Sequence, residues 1–195
     1  LEALSYCYYD GHSMRVYDSY LKGKGNDEVF IDCPLWAPNT ALQYVKETGD
    51  IEFLNIKLAY HDSEIEETVE EHLWKMCDFA YRTRGENGLL KMLDGDWLDG
   101  LSGINYDGIA TSAWATMQAF WAQNQLAELE DILGNEERAR ILRQRSAEYK
   151  EIVRRVAWDG NWYLYGFKGD GQPVGSSQCL EGKIYLNPQT WAIFT

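Results

Sequence analysis

Apolar side chains recur every three or four residues along most of this chain, a spacing typical of amphipathic helices. Residues 34–47 predict a first helix, and Gly49 supplies its end. Ser63 and Glu66 form a capping box, so we expect a second helix from there to about Arg82. The apolar positions of these two helices are Leu35, Leu42 and Val45, then Ile65, Val69, Leu73, Cys77 and Ala80.

Two longer helices follow with the same spacing. One is predicted over residues 109–133 and ends at Gly134, after which Asn135 caps the next helix. Beyond Gly160 the pattern changes, and WYLYGF followed by KGDGQ predicts a short hairpin before a last helix that begins near Asn187. The buried positions expected for the two long helices are Trp114, Met117, Phe120, Trp121 and Leu129, then Leu142, Tyr149, Ile152, Val153 and Val156.

This succession of helices predicts an all-α fold of antiparallel helix pairs with a short β-hairpin insertion. Two connections between the helices are long: residues 10–33, and the stretch LDGDWLDGL at residues 93–101. Loops of more than about 12–15 residues inside a compact domain are usually functional or disordered. Both connections are rich in Trp, Tyr and Asp, which disfavours disorder, so we expect functional chemistry in them.

Composition narrows the class of protein. The 195 residues suit one domain or a piece of a larger protein, and no linker divides them. The net charge of −13 argues against a nucleic-acid or anionic-membrane partner, because both need a basic surface. The four cysteines lack metal-binding spacing, so we expect free thiols in a reducing compartment and no metal site. With neither a signal peptide nor a membrane span in the pattern, we expect a cytoplasmic protein.

The aspartates of LDGDWLDGL allow three interpretations. Calcium binding is disfavoured, because the stretch lacks the spacing and the distal glutamate of an EF-hand loop. In acid–base chemistry at a glycosidic bond, a carboxylic acid with a raised pKa protonates the leaving oxygen, and the indole of Trp97 is a suitable apolar wall for Asp99. Alternatively, Asp94, Asp96 and Asp99 cap turns while Trp97 fills the core.

Four motifs occur in the same order as in a known enzyme family. GLLKMLDGDWLDGL resembles GLPLIGxGDWNDGM, and FIDCPLWAPNTALQYVKETGDIEFL resembles SDDxLWLPxAVxxYxxxTGDxxxL. AWDGNWYLYGFKGDGQPVGSS is similar to AWDGxWYxRAYxDDGxPLGS, and EGKIYLNPQTWAI is similar to a later barrel segment. The family is glycoside hydrolase family 94, the cellobiose-phosphorylase-like enzymes. The resemblance implies that residues 1–195 form a single partial domain, a segment of an (α/α)6 catalytic barrel.

The resemblance also implies a reaction. Enzymes of this family cleave a β-linked gluco-oligosaccharide or disaccharide with inorganic phosphate and release an α-sugar 1-phosphate, inverting the anomeric centre. Asp99 matches their general acid. Phosphate is already an anionic nucleophile, so a site of this kind needs one catalytic carboxylate and no carboxylate base. Phosphate is then a co-substrate, and no further cofactor is expected.

Five other positions match residues that contact substrate in the family. Trp97 matches the tryptophan beside the cleaved sugar ring, and Asp32 matches an acid that holds hydroxyl groups of that sugar. Arg15 matches a basic position facing the substrate and the phosphate region. Lys183 and Gln189 match the late segment that lines the acceptor side.

Several positions depart from the family pattern. Leu98 stands where the family has asparagine, and Cys33 replaces the second acid of DDxLW. A second arginine is missing, with Gly25 near its place and Lys24 beside it, and lysine replaces a bidentate guanidinium poorly. The motifs cover about the middle half of the family's barrel, so we expect the chain to be a fragment of a longer protein.

Two other functions stay open at this point. An inverting (α/α)6 glycosidase that uses water needs a carboxylate base about 6.5–9.5 Å from Asp99. A carbohydrate-binding fragment without turnover needs neither a catalytic acid nor a catalytic base. Members of the family commonly form homodimers, so a homodimer of the full-length chain is possible, and we expect no nucleic-acid or membrane partner.

Overall fold

The computed structural model describes residues 1–18, 20 and 25–195, and helices dominate its regular structure. Five α-helices are described: α1 Ala37–Thr48, α2 Val69–Arg82, α3 Ala113–Leu133, α4 Glu136–Val156 and α5 Leu186–Trp191. The described strands are short: β1 Val16–Tyr17, β2 Gly25–Asn26, β3 Lys57–Tyr60, β4 Ser63–Thr68, β5 Leu90–Lys91, β6 Thr111–Ser112, β7 Gly166–Phe167 and β8 Pro173–Val174. 3-10 turns span Glu2–Tyr6, Cys33–Trp36, Ile51–Asn55 and Asp99–Asn105.

The first predicted helix is confirmed, and the start of the second is wrong. α1 ends where Gly49 adopts a φ of 71°, a left-handed conformation that glycine accepts without strain. Residues 63–68, expected to open the second helix, instead form β4 and pair with β3. The cap of α2 is Thr68, whose hydroxyl accepts a hydrogen bond from the backbone N–H of Glu71 at 3.1 Å. Ile65, expected among the apolar positions of that helix, is 50% exposed in the strand.

The two long helices form the centre of the structure. α3 packs against α4 along its length and also contacts α1, α2 and α5. Its predicted start is four residues early, because Thr111 and Ser112 extend into β6 and the Ser112 hydroxyl caps the helix. Gly134 ends α3 at a φ of 78°, as expected. Asn135 precedes α4, but its side chain donates to Glu130 at 2.8 Å and does not cap that helix.

The all-α expectation needs a correction, because the described residues also form three small sheets. The predicted hairpin is confirmed as β7 and β8, but β7 also pairs with β6, and β6 with β5, to give an antiparallel four-stranded sheet. β1 pairs with β2, and β3 with β4. Each four-stranded-sheet member is only two residues long, so alternation of apolar and polar residues cannot mark it.

The core lies between the helices and beneath the four-stranded sheet. Its largest fully buried side chains include Trp114, Tyr149 and Tyr165. Four residues expected to be buried are only partly covered: Phe120, Trp121, Ile152 and Val156. All four cysteines are free thiols. In the part of the chain that the structure describes, no helix has the length and apolarity needed to cross a membrane.

Candidate functional site

The acid loop, which we define as residues 93–101, lies against residues 29–31. The N–H of Asp94 donates to the carbonyl of Val29 at 3.1 Å, and the N–H of Val29 donates to the Asp94 carboxylate at 2.7 Å. The N–H of Ile31 donates to the carbonyl of Gly95 at 3.1 Å. Leu93 has a φ of 58°, a conformation that non-glycine residues rarely adopt. These bonds hold the loop beside the segment that carries Asp32.

Asp99 begins the 3-10 turn after Leu98, and its side chain meets Arg15. The Arg15 Nη2 atom lies 2.8 Å from Asp99 Oδ2, and Arg15 Nη1 lies 3.0 Å from Glu28 Oε2. The Arg15 guanidinium also lies 4.1 Å from the centre of the Phe30 ring. Arg15 and Asp99, which match two functional positions of the family, therefore lie side by side. The apolar wall expected around Asp99 is not, because its side chain is 68% exposed and sits at the rim of the loop.

Asp32 is a buried carboxylate that uses only one of its two oxygens in a side-chain hydrogen bond within the described residues. The residue is 4% exposed, and its Oδ2 accepts a hydrogen bond from the indole N–H of Trp36 at 3.4 Å. Its Oδ1 is buried and has no hydrogen-bond partner among the described residues. Burial, reinforced by the negative charge of Asp96, raises the pKa of Asp32 to about 6. A buried polar atom without a partner is costly, which makes Oδ1 suited to accept a hydroxyl from a ligand.

Asp96, the aspartate of GDW, was expected only as one of three turn-capping aspartates, and no sequence pattern indicates its side-chain partners. It is fully buried, and its carboxylate accepts hydrogen bonds from the Tyr165 hydroxyl at 2.5 Å and the Ser112 hydroxyl at 2.6 Å. It also accepts from the N–H of Leu98 at 3.2 Å. Burial raises the pKa of Asp96, while these three donors oppose that rise. The turn-capping interpretation is therefore correct for Asp96, and Asp94 likewise holds a backbone N–H.

Trp97 belongs to a tryptophan cluster, which we define as Trp36, Trp97, Trp114, Trp121 and Trp191. The Trp97 ring centre lies 5.6 Å from that of Trp36 and 6.4 Å from that of Trp114. The Trp191 ring lies 5.7 Å from Trp36, 5.6 Å from Trp114 and 5.6 Å from Trp121. Trp97 is 59% exposed, so it does not fill the core. Its exposure leaves indole surface available for contact with a ligand.

Lys183 and Gln189 lie at a different part of the structure. The Gln189 amide accepts from the N–H of Tyr163 at 3.0 Å and donates to the carbonyl of Tyr163 at 2.7 Å. The Lys183 carbonyl accepts from the indole of Trp162 at 2.9 Å, and its side chain is exposed. These contacts fix the backbone ahead of α5 and give neither side chain a link to Asp99. Their substrate-binding role stays a prediction.

The structure describes the surroundings of three positions that depart from the family pattern, Gly25, Cys33 and Leu98. A Cβ atom added at Gly25 would lie 2.5 Å from the Met14 sulfur and 2.5 Å from the Val16 carbonyl oxygen, so a larger residue does not fit there without a shift. Lys24 lies outside the described residues. Burial raises the pKa of Cys33 to about 12, so its thiol stays neutral. Leu98 packs against the core between the exposed Trp97 and Asp99.

The predicted residues converge only in part. A cavity of about 640 Å³ is lined by Arg15, Cys33 and Trp36 together with apolar side chains of α1 and the N-terminal segment. Asp32, Trp97 and Asp99 touch these lining residues but do not themselves line the cavity. Among residues 1–18, 20 and 25–195, no group of three or more His, Cys, Asp or Glu side chains is arranged to hold a metal ion.

Comparison with known proteins places these features in a family context. A family model described as the Glycosyl hydrolase 94 superfamily, catalytic domain, matches residues 10–195. Solabiose phosphorylase of Paenibacillus borealis is 37% identical over 195 residues, which is 100% of this chain and 25% of that protein. The 3-O-beta-D-glucopyranosyl-beta-D-glucuronide phosphorylase of the same organism is 36% identical over 84% of this chain and 21% of its own length.

A more distant relative agrees with these two. N,N'-diacetylchitobiose phosphorylase of Vibrio proteolyticus is 31% identical over 84% of this chain and 20% of its own length. The chain therefore spans a quarter or less of the length of these curated relatives. The family model covers nearly the whole chain, and the motifs that carry the resemblance include the acid loop and the segment around Asp32. This chain belongs to the Glycosyl hydrolase 94 superfamily and carries sequence of its catalytic domain.

Proposed function

We propose that the protein to which this chain belongs is an inverting glycoside phosphorylase. Inorganic phosphate attacks the anomeric carbon of a β-linked gluco-oligosaccharide or disaccharide, the glycosidic C–O bond breaks, and an α-sugar 1-phosphate leaves. The observation that carries the proposal is the Arg15–Asp99 pair, 2.8 Å apart, beside the buried Asp32 and the exposed ring of Trp97. We also propose that residues 1–195 form part of an (α/α)6 catalytic barrel, with α3 and α4 as one of its antiparallel pairs.

Asp99 acts as the general acid in this reaction. Its proton passes to the glycosidic oxygen as the bond breaks, and the released sugar carries that proton away as a hydroxyl group. The exposed position of Asp99 suits a group that must collect a proton from solvent in every cycle. Because the same carboxylate is paired with Arg15 in this structure, it has to leave that pair before it acts as an acid.

Arg15 allows Asp99 to leave the ion pair, because phosphate is able to take the place of the carboxylate at the guanidinium. A guanidinium binds phosphate with two parallel hydrogen bonds, and such charge-assisted bonds are stronger than neutral ones. A solvent-exposed ion pair contributes only about 0–1 kcal/mol, so phosphate competes readily with Asp99 for the guanidinium. Arg15 thereby moves from Asp99 to the nucleophile, leaving the carboxyl group free to take up a proton. Binding of phosphate to Arg15 then releases Asp99 to act as the general acid.

Asp32 and Trp97 hold the sugar. Asp32 Oδ1, buried and without a partner among the described residues, accepts a hydrogen bond from a sugar hydroxyl. The exposed indole face of Trp97 packs against the C–H face of the ring. A hydrogen bond to a carboxylate contributes about 1.5–3 kcal/mol, so Asp32 is a major determinant of sugar affinity.

The proposal is tested by incubating the native protein with a panel of β-linked glucosides with and without phosphate. We expect sugar 1-phosphate only in the presence of phosphate, with an α-anomeric product by NMR. Replacement Asp99→Asn lowers the rate by about 10²–10⁴-fold, the usual contribution of general acid catalysis. The exposed loop variant Asp170→Asn is the matched control and keeps the wild-type rate. Equal release of free sugar in phosphate-free buffer contradicts the proposal.

One observation favours a second candidate, an inverting glycoside hydrolase. Asp32 is a carboxylate with a raised pKa, it interacts electrostatically with Asp99, and its Oδ1 has no hydrogen-bond partner among the described residues. Such a group is able to serve as the base that activates water. In that case Asp32→Asn abolishes turnover as completely as Asp99→Asn, and phosphate has no effect. For phosphorolysis, Asp32→Asn instead raises the sugar KM, and phosphate remains essential.

A further inference from the structure

The hydrogen bonds of Asp96 join three parts of the structure that are far apart in sequence. Ser112 belongs to β6 and Tyr165 immediately precedes β7, and the hydroxyl groups of both donate to the Asp96 carboxylate. The Leu98 N–H donates to the same carboxylate from within the acid loop. All three side chains involved in the hydroxyl contacts, those of Asp96, Ser112 and Tyr165, are fully buried. The acid loop is therefore fastened to the central sheet through one carboxylate.

The same carboxylate is linked to the start of α3, the helix that contacts α1, α2, α4 and α5. Ser112 caps α3, because its hydroxyl oxygen accepts the N–H of Ala115 at 3.0 Å while its hydrogen goes to Asp96. The Ser112 carbonyl accepts from Thr116, whose hydroxyl oxygen in turn accepts the N–H of Leu90 in β5 at 2.9 Å. A carboxylate at a helix N-terminus is stabilised by the helix dipole. The anchor thus combines a helix end with two strands.

We infer that Asp96, held by Tyr165 and Ser112, is the positioning residue that fixes where Asp99 places its proton. This inference rests on the proposed function. Asp96 does not touch the reacting atoms, since it lies in the core and Asp99 lies at the rim. It acts through the backbone: its bond to the Leu98 N–H sets the turn that presents Trp97 on one side and Asp99 on the other.

The exposure of Asp99 makes such an anchor necessary. A side chain that is 68% exposed receives little guidance from packing, so its position depends on the backbone that carries it. A displacement of about 1 Å in a catalytic group costs up to about 100-fold in rate. Asp96 accepts three hydrogen bonds in the buried part of the loop. The buried aspartate thus gives precision to the exposed one.

The test compares Tyr165→Phe with Tyr149→Phe in the native protein. Both remove a fully buried tyrosine hydroxyl, but the Tyr149 hydroxyl has no partner among the described residues and lies in α4 away from the loop. Activity is measured on a β-linked disaccharide and on β-glucosyl fluoride, each with phosphate. Fluoride leaves without protonation, so the rate on β-glucosyl fluoride does not depend on the position of Asp99. Asp99→Asn serves as the reference for a lost acid.

We expect Tyr165→Phe to lower kcat on the disaccharide by about tenfold, which corresponds to about 1.4 kcal/mol. Its kcat on the fluoride changes less than about twofold, and the KM for the disaccharide moves little, as in Asp99→Asn. Tyr149→Phe leaves all of these values unchanged. A merely structural role for Tyr165 lowers the rates on both substrates equally, and that result overturns the inference.

Amide hydrogen exchange provides a readout that does not depend on activity. Loss of the Tyr165 bond speeds exchange in peptides covering residues 93–101, including the Leu98 N–H, and Tyr149→Phe does not. Unchanged exchange in the acid loop of Tyr165→Phe overturns the inference even if the wild-type protein forms no sugar phosphate. Absence of sugar phosphate from the wild type, with faster loop exchange in Tyr165→Phe, rejects the proposed function and keeps Asp96 as the anchor of this loop.

Discussion

The two ends of α3 each bury a carboxylate, and the two are treated differently. At the N-terminal end, Asp96 accepts three hydrogen bonds, and the helix dipole favours its charge. Near the C-terminal end, Glu130 accepts one hydrogen bond from Asn135. When Glu130 is ionised, its Oε1 atom has no hydrogen-bond donor among the described residues. Burial, together with a hydrogen bond to Glu70, raises the pKa of Glu130 to about 8. The first end surrounds its carboxylate with hydrogen-bond donors, and the second holds a proton.

This difference follows from the donors that each end provides. Hydroxyl groups and a backbone N–H surround Asp96, whereas Glu130 faces the carboxylate of Glu70, which is already paired with Arg138. Arg138 also bonds Glu71 at 2.6 Å, so its guanidinium is divided between two acids of α2. A protonated Glu130 donates to Glu70 and relieves the crowding of negative charge. At the end of α3 near the candidate site, hydrogen-bond donors therefore fix the position of a carboxylate. At the other end, the packing of Glu130 depends on pH.

The largest effect is expected for Asp96→Ala. The change strands two buried hydroxyl groups and one backbone N–H, and we expect the free energy of unfolding to fall by about 3 kcal/mol. Urea denaturation measures the loss. Asp94→Ala on the same loop is the control, since its carboxylate is exposed and holds one N–H, and it should cost less than about 1 kcal/mol. Equal losses in the two variants contradict the distinction between anchor and exposed turn.

Glu130→Gln is expected to change the pH dependence of stability. A raised pKa in the folded protein means that the contribution of Glu130 is complete below its unfolded pKa of about 4.5 and is lost as pH rises to about 8. The free energy of unfolding of the wild type therefore declines across this range, and the glutamine variant lacks that part of the decline. At pH 9 we expect the variant to be more stable by about 2 kcal/mol.

Thermal denaturation at pH 5, 7 and 9 measures this effect. Glu137→Gln is the control, because Glu137 is exposed on α4 and pairs with Arg140 at the surface. Its curve should follow the wild type within the small effect of a surface ion pair. A Glu130→Gln variant that is equally stable relative to the wild type at pH 5 and pH 9 contradicts the buried proton.

Gly134→Ala is expected to have the smallest effect. Gly134 ends α3 at a φ of 78° with no atom within 4 Å of an added Cβ, so the cost is conformational alone and amounts to about 1 kcal/mol. Gly103→Ala is the control, because that position is equally open and has no positive φ. Chemical denaturation distinguishes the two. A loss of stability at Gly103 as large as that at Gly134 shows that something other than backbone conformation is responsible.

The sequence predicts the helices better than it predicts the sheets, for a physical reason. α1, α3 and α4 are set by local patterns, an apolar period of 3.6 and a glycine beyond the last turn of α1 and α3. The four-stranded sheet depends on pairs such as Thr111 with Phe167, which no local pattern connects. The error at Ser63 arose because a Ser-x-x-Glu spacing also fits a strand that follows a tight turn.

The candidate site shows the same division. The residues around Asp99 were found through ordered motifs, and the family match supports that resemblance. The hydrogen bond between Tyr165 and Asp96 joins residues that lie 69 positions apart in sequence. The sequence pattern predicts only that Tyr165 belongs to a hairpin, and it does not indicate this partner. The exposure of Asp99 could not be inferred from the neighbouring indole, because the packing of Leu98 turns the two flanking side chains to the surface.

The tryptophan cluster gives the protein an intrinsic optical probe of its own site. Its rings lie 5.6–6.4 Å apart in successive contacts, close enough for excitation absorbed by one indole to pass to the others. Trp97 is the exposed member and borders water, so its emission lies at longer wavelength than that of the buried Trp114. Under the proposed function, we expect a sugar that covers Trp97 to shift the fluorescence of the whole group, and titration of that signal then reports occupancy without any label.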